Sequence, residues 1–176
     1  MIRTMIVISL ATLVAVAGIP AAGAQETKQE PKPYTHAFLK KAGEMQRAEI
    51  SLALLADGRA ANQRVTQFAE HMIAIHKKLL QEVQELAAEK GVQVPTELSD
   101  EHKQKIKEFS QLSGHTFDRM YMRYILGDHQ RDVQEFEDGM QTLEDSDVLH
   151  WTYRTLPMLR AHVEEARWLQ QGLQTN

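Results

Sequence analysis

From Thr35 almost to the end of the chain, apolar residues recur every three or four positions and never settle into alternation, the spacing of amphipathic helices rather than strands. A first helix is expected from Thr35 or His36, opened by a threonine cap, to Asp57, where Asp57-Gly58 stops it. Asn62 caps a second helix that reaches Lys90; Gly91 ends it, and Val92 to Pro95 cannot continue it. Ser99 or Asp100 opens a short, charged segment (SDEHKQKIKEF) that ends near Ser113-Gly114 and holds too few apolar residues to be a core helix. A third long helix is expected over His115 to Glu144 and a fourth over Asp147 to Leu173, with Pro157 kinking or splitting the fourth. Four long helices, two tight hairpins and one long connection describe an all-α four-helix bundle with a short extra helix between helices 2 and 3. The length of that connection allows a crossover along the whole bundle, as in ferritin-like folds, or a surface excursion between antiparallel neighbours.

A bundle needs one apolar stripe per helix. The best stripes are Phe38, Ala42, Met45, Glu49, Leu52, Ala56; then Val65, Ala69, Met72, His76, Leu79, Val83, Leu86; then Met122, Ile125, His129, Val133, Phe136, Met140, Leu143; and last Val148, Thr152, Thr155, Leu159, His162, Ala166, Leu169, Leu173. Two threonines aside, each stripe holds one polar residue: Glu49, His76, His129 or His162. In a helical hairpin, residues equidistant from the turn share a level. His129 and His162 satisfy this and should face each other, whereas Glu49 and His76 miss it by about one helical turn. His76 and His129 each lie well inside their helices, so the three imidazoles are expected as one mid-bundle cluster.

Neutral imidazoles with a carboxylate suit zinc, copper, iron or manganese, and bundle cores are built for such sites. Met45, Met72 and Met158 each lie four residues before a polar stripe residue, which leans the choice slightly toward copper. The same residues also suit a metal-free polar network with Glu49, Asp128, Tyr121 or Tyr124 that fixes register. His36, His71, His102, His115 and His150 lie off the stripes and read as solvated, and Glu135, Glu137 and Asp138 read as a wet helix face. Neither His76 nor His162 has a Glu three residues before it, and the stripes offer a single carboxylate, against the four of a dinuclear oxygen-activating centre. No phosphate loop, nucleophile elbow or His-Glu-x-x-His motif points to an enzyme.

Residues 1–24 have the layout of a cleavable secretory signal: Arg3, an apolar run from Met5 to Pro20, and Ala21-Ala22-Gly23-Ala24 before a cut after Ala24. Residues 25–34 read as a polar, flexible leader and 35–174 as one bundle domain, exported to the periplasm and without a transmembrane span. Loss of Arg3 with the signal takes the net charge from −4 to −5, which gives nucleic acid no basic face to bind. The absence of cysteine excludes thiolate metal sites, disulfides, iron–sulfur clusters and catalytic thiols.

Phe38-Leu39-Lys40-Lys41-Ala42, Ala48-Glu49-Ile50, Phe68-Ala69-Glu70-His71-Met72 with His76, Lys90-Gly91-Val92, Leu112-Ser113-Gly114, Phe117-Asp118, Asp128-His129 and Thr155-Leu156-Pro157 with His162 are spread over the whole bundle. In these residues the chain resembles the bacterial exported family catalogued as domain of unknown function 4142. The resemblance implies a ferritin-like helical fold, a signal peptide, a frequent outer-membrane label and no established activity. It also implies histidines at His76, His129 and His162 and an acid at Glu49. The chain departs from the family pattern where Ala74-Ile75, rather than two aspartates, precede His76. Two functional readings follow: a periplasmic metal-binding module using His76, His129, His162 and Glu49, or a non-catalytic envelope protein that binds a partner or a second copy of itself. The second is motivated by the broad apolar arc of Phe117, Met120, Tyr121, Tyr124 and Ile125.

Overall fold

The computed structural model describes residues 33–174, so the expected signal, its cleavage point and the leader up to residue 32 lie outside the described residues. The described residues form five helices and no strand: α1 (Pro33–Ala56), α2 (Gln63–Glu89), α3 (Asp100–Phe109), α4 (Gly114–Thr142) and α5 (Ser146–Gly172). Helix α1 begins two residues ahead of the expected threonine cap. Pro33 takes the first turn, where its missing N–H costs nothing, and Thr35 is buried inside the helix. Asn62 caps α2 as expected, its side chain accepting from Arg64 N–H, and Asp145 caps α5 by accepting from Asp147 and Val148. Pro157 does not split α5, which runs through it unbroken. The proline and Tyr153, whose carbonyl it leaves without a helical donor, both face solvent.

The long connection is a crossover. At one end, the α4 start meets the α1–α2 turn: Gly114 N–H donates to Arg59 O at 2.7 Å, and buried Asp118 accepts from Ala61 and Asn62 at 3.1 and 3.0 Å. At the other end, Lys90 at the close of α2 lies 2.8 Å from Asp145 and 2.6 Å from Asp147, in the α4–α5 turn. Helices α2 and α4 therefore run parallel, and α3 returns along the outside of the bundle. Across the bundle α1 packs on α4 and α2 on α5, giving the connectivity of a ferritin-like fold.

The crossover lies over the α1–α4 seam. Val94 presses on Gly43, where a Cβ would stand 2.2 Å from its Cγ1, and Arg47 donates to Pro95 O at 2.9 Å. Phe109 of α3 is buried against Phe117, Tyr121 and Tyr124. The expectation that α3 contributes nothing to the core is thus corrected. So is the reading of the α4 aromatic arc as a docking face: Phe117, Tyr121 and Ile125 are fully buried, and Met120 is the member left exposed. A strip of α1 that would face solvent in a simple bundle is covered as well.

Asp118 is the latch of this topology, because two backbone N–H groups at the α2 start have it as their partner. Asp118→Asn keeps the shape but turns an amide N–H toward those donors. It is expected to destabilise the domain by about 2 kcal/mol, measured as a lowered urea midpoint.

Candidate metal centre

Two apolar clusters fill the bundle, one around Phe38, Phe136 and Trp151 and the other around Phe68, Phe117 and Ile125. Between them lies a polar layer. His76 from α2, His129 from α4 and His162 from α5 point into it, all buried, with ring centroids 5.3–5.5 Å apart. One nitrogen from each ring falls within 4.8 Å of the others. Metal–nitrogen bonds of about 2.1 Å set ligands about 3.4 Å apart, so closing on one ion asks for at most about 1.4 Å of side-chain movement. The level rule holds for His129 and His162.

Helix α1 supplies supporting groups one turn apart. Gln46 Oε1 is 2.7 Å from His76 Nδ1, which sets the proton on Nδ1 and leaves the Nε2 lone pair free, without a hydrogen-bond partner. Glu49 Oε1 is 3.7 Å from His129 Nδ1 and belongs to a second set of mutually close ligand atoms, with His129 and Asp132. Glu49 is therefore near His129 and not, by any direct contact, the partner of His76.

Gln46, Asp128 and Asp132 are absent from the expected stripes, yet all three are buried. On α4 the buried line turns by one position, taking Asp132 and Gly139 in place of Val133 and Met140, which stay half-buried. Gly139 makes the turn possible: a Cβ there would stand 2.8 Å from the Phe38 ring. Around the histidines the core thus holds three carboxyl groups, Glu49, Asp128 and Asp132, rather than one. The level rule could have found Gln46, since 46 and 76 are equidistant from the α1–α2 turn. The lean toward copper loses its support, because Met45 and Met158 pack with one apolar cluster and Met72 with the other. Of the outer histidines, His102 is half-buried rather than solvated, while His71 stays exposed as expected. His102 bonds to Glu44 at 2.9 Å, and the His71 ring lies edge-on to His162 with centroids 5.7 Å apart.

The electrostatics follow from burial. Desolvation holds all three imidazoles neutral, reinforced by the neighbouring histidines: His76 is driven well below the usual imidazole value, His129 to about 3 and His162 to about 4. Desolvation pushes the Glu49 and Asp132 carboxyls well up, with Asp128 adding to both. Neutral nitrogen lone pairs beside carboxyls with unpaired oxygens are the donor chemistry a divalent cation requires.

Residues 20–169 match the family model described as "Domain of unknown function (DUF4142)". The chain belongs to the DUF4142 family. The DUF4142 chain is also similar in fold to the crystal structure of a DUF305 fragment from Deinococcus radiodurans, with 14% identity over 83% of this chain and 99% of that one and a TM-score of 0.70. No curated protein matches the sequence.

The pKa directions set a test on the metal-free DUF4142 domain. Lowered histidines contribute stability that is full above their unfolded value near 6.5 and lost as pH falls; raised carboxyls contribute stability that is lost as pH rises above their unfolded value near 4. Between about pH 6.5 and 4.5, histidine protons taken up by the unfolded chain lower stability as pH falls, and carboxyl protons kept by the folded chain offset part of that loss. In E49Q/D132N the opposing pair is gone. Its acid-side slope, from urea unfolding in chelator, should steepen toward roughly 4 kcal/mol per pH unit; an unchanged slope refutes the assignment.

Proposed function

We propose that this protein is an exported metal-binding module in which His76, His129 and His162 ligate one transition-metal ion, with Gln46 and Glu49 orienting two of the three rings. The observation that carries this reading is that at least four of the six imidazole nitrogens are buried without a hydrogen-bond partner among the described residues, the Ile125 carbonyl serving one nitrogen of His129. A purely structural network would pair its donors and acceptors, since each buried orphan costs about 1–3 kcal/mol. Ligation satisfies one nitrogen on each ring at once.

Three imidazoles from three helices suit zinc, copper or iron, with manganese the weaker fit to an all-nitrogen set. The two flanking apolar clusters close the layer above and below, which favours holding, buffering or delivering an ion over turning over a substrate. Export is supported by the signal-like residues 1–24. Among the described residues no helix is long and apolar enough to cross a membrane.

The test is the untagged domain lacking residues 1–24, dialysed and analysed for bound metals by mass spectrometry. About one zinc, copper or iron ion per chain is expected, with a thermal midpoint that rises on reloading; saturation at about 100 times Kd adds about 2.7 kcal/mol. The triple replacement of His76, His129 and His162 by Leu should remain folded and bind none. Absence of metal, together with no thermal shift on adding zinc, copper, iron or manganese, overturns the reading.

A further inference from the structure

Glu49, His129 and Asp132 bring a ligand atom each within 4.8 Å of one another, on the α1–α4 side of the layer. One member of this set, Asp132, reaches the surface. Asp132 lines a surface cleft of about 510 Å³ between α1, the start of α3 and α4, together with Glu44, His102, Tyr124, Asp128 and Glu135. Two basic side chains reach into the cleft, and each is committed elsewhere: Lys41 to Glu135 at 2.5 Å and Arg131 to Asp128. Both charges are felt at Asp132 and that of Arg131 at Glu49, but burial outweighs them at each deeper carboxyl. Fully buried Glu49, beside the Asp128 carboxyl, keeps at least one oxygen without a hydrogen-bond partner, as do Asp132 at Oδ2 and His129 at one or more ring nitrogens. A funnel of acidic groups thus leads from solvent to three buried side chains whose unpaired atoms converge.

We propose that Glu49, His129 and Asp132 form a second cation seat, with one nitrogen and two carboxylate donors, that takes a hard divalent ion such as Mn²⁺ from the cleft. Carboxylate oxygens suit Mn²⁺ better than three imidazoles do. A neutral imidazole has one lone pair, so His129 serves one ion at a time and the two seats compete. The competition alone rests on the reading of the trio as a metal site; the seat itself does not.

The experiment titrates the metal-free domain lacking residues 1–24 with Mn²⁺ alone and follows the free-ion signal by electron paramagnetic resonance. The wild type should bind about one Mn²⁺. Asp132→Asn, close to isosteric, should weaken Mn²⁺ by about tenfold or more while leaving Zn²⁺ affinity within about threefold. His162→Ala should do the reverse, and one equivalent of Zn²⁺ should release Mn²⁺ from the wild type. Glu49→Gln is the second variant, and circular dichroism checks the fold of each. Failure of the wild type to bind Mn²⁺, or Mn²⁺ affinity in Asp132→Asn and Glu49→Gln equal to that of the wild type, overturns the second seat even where Zn²⁺ binds. Mn²⁺ binding that is sensitive to Asp132 in a protein indifferent to Zn²⁺ overturns the trio and upholds the seat.

Discussion

Everything in this bundle is arranged around a polar layer that burial makes expensive. Gln46, Glu49, His76, Asp132, His129 and His162 lie between two apolar clusters, and most of their side-chain polar atoms find no partner in the chain. A few such orphans occur in any protein, but they are scattered; here they are concentrated at one depth. The apolar clusters above and below must carry the folding free energy, since the layer subtracts from it at roughly 1–3 kcal/mol for each unpaired group. A sequence that places four polar residues at four seam centres has therefore exchanged stability for chemistry. That is the exchange expected at functional sites.

The crossover makes the layer possible. In a simple up-and-down bundle α1 would bury one stripe, whereas here Gln46 and Glu49, which share a face three residues apart, are buried together with Met45 and Ala48 beside them. Laying Val92, Val94 and Phe109 along the α1–α4 seam gives α1 a second buried face and sequesters Tyr121 with it. The close approach depends on Gly43 under Val94. Its two ends are fixed by polar contacts, Asp118 at the α2 start and Lys90 between Asp145 and Asp147 at the opposite turn. The positioning of Glu49 beside His129 is thus a consequence of chain topology as much as of local helix geometry.

The helices, the Asn62 and Ser99 caps and the histidine trio were legible in the sequence because each follows from period and punctuation. His129 and His162 in particular were placed at one level by counting from the turn. What was not legible was anything set by the crossover. A stripe drawn helix by helix assigns α4 to Val133 and Met140; the actual line runs through Asp132 and Gly139, because the Phe38 ring needs the space a side chain at 139 would fill. Asp132 looks like surface on a helical wheel and is buried by its neighbours. The Phe117–Ile125 arc misled in the opposite sense, as an exposed apolar face whose cover comes from Phe109, in a segment too charged to suggest a core role. Period identifies the face a helix must bury against its nearest partners, but a second buried face depends on a segment distant in sequence.

Charge closes the argument. A divalent cation among three neutral imidazoles in a buried layer would leave two positive charges uncompensated, a costly state in a low-dielectric interior. Lys41 and Arg131 pair directly with Glu135 and Asp128 and act on the deeper carboxyls only at longer range, so Glu49 and Asp132 are two carboxyls without an ion-pair partner among Lys and Arg beside the histidines. Desolvation, which raises their pKa in the absence of a cation, is the same cost that a cation at either seat would relieve. Two carboxyls able to become carboxylates beside three lone-pair nitrogens balance one dication. An apolar or purely hydrogen-bonded core would have no use for that balance, and the layer's charge inventory, like its unpaired atoms, is the complement of a metal ion.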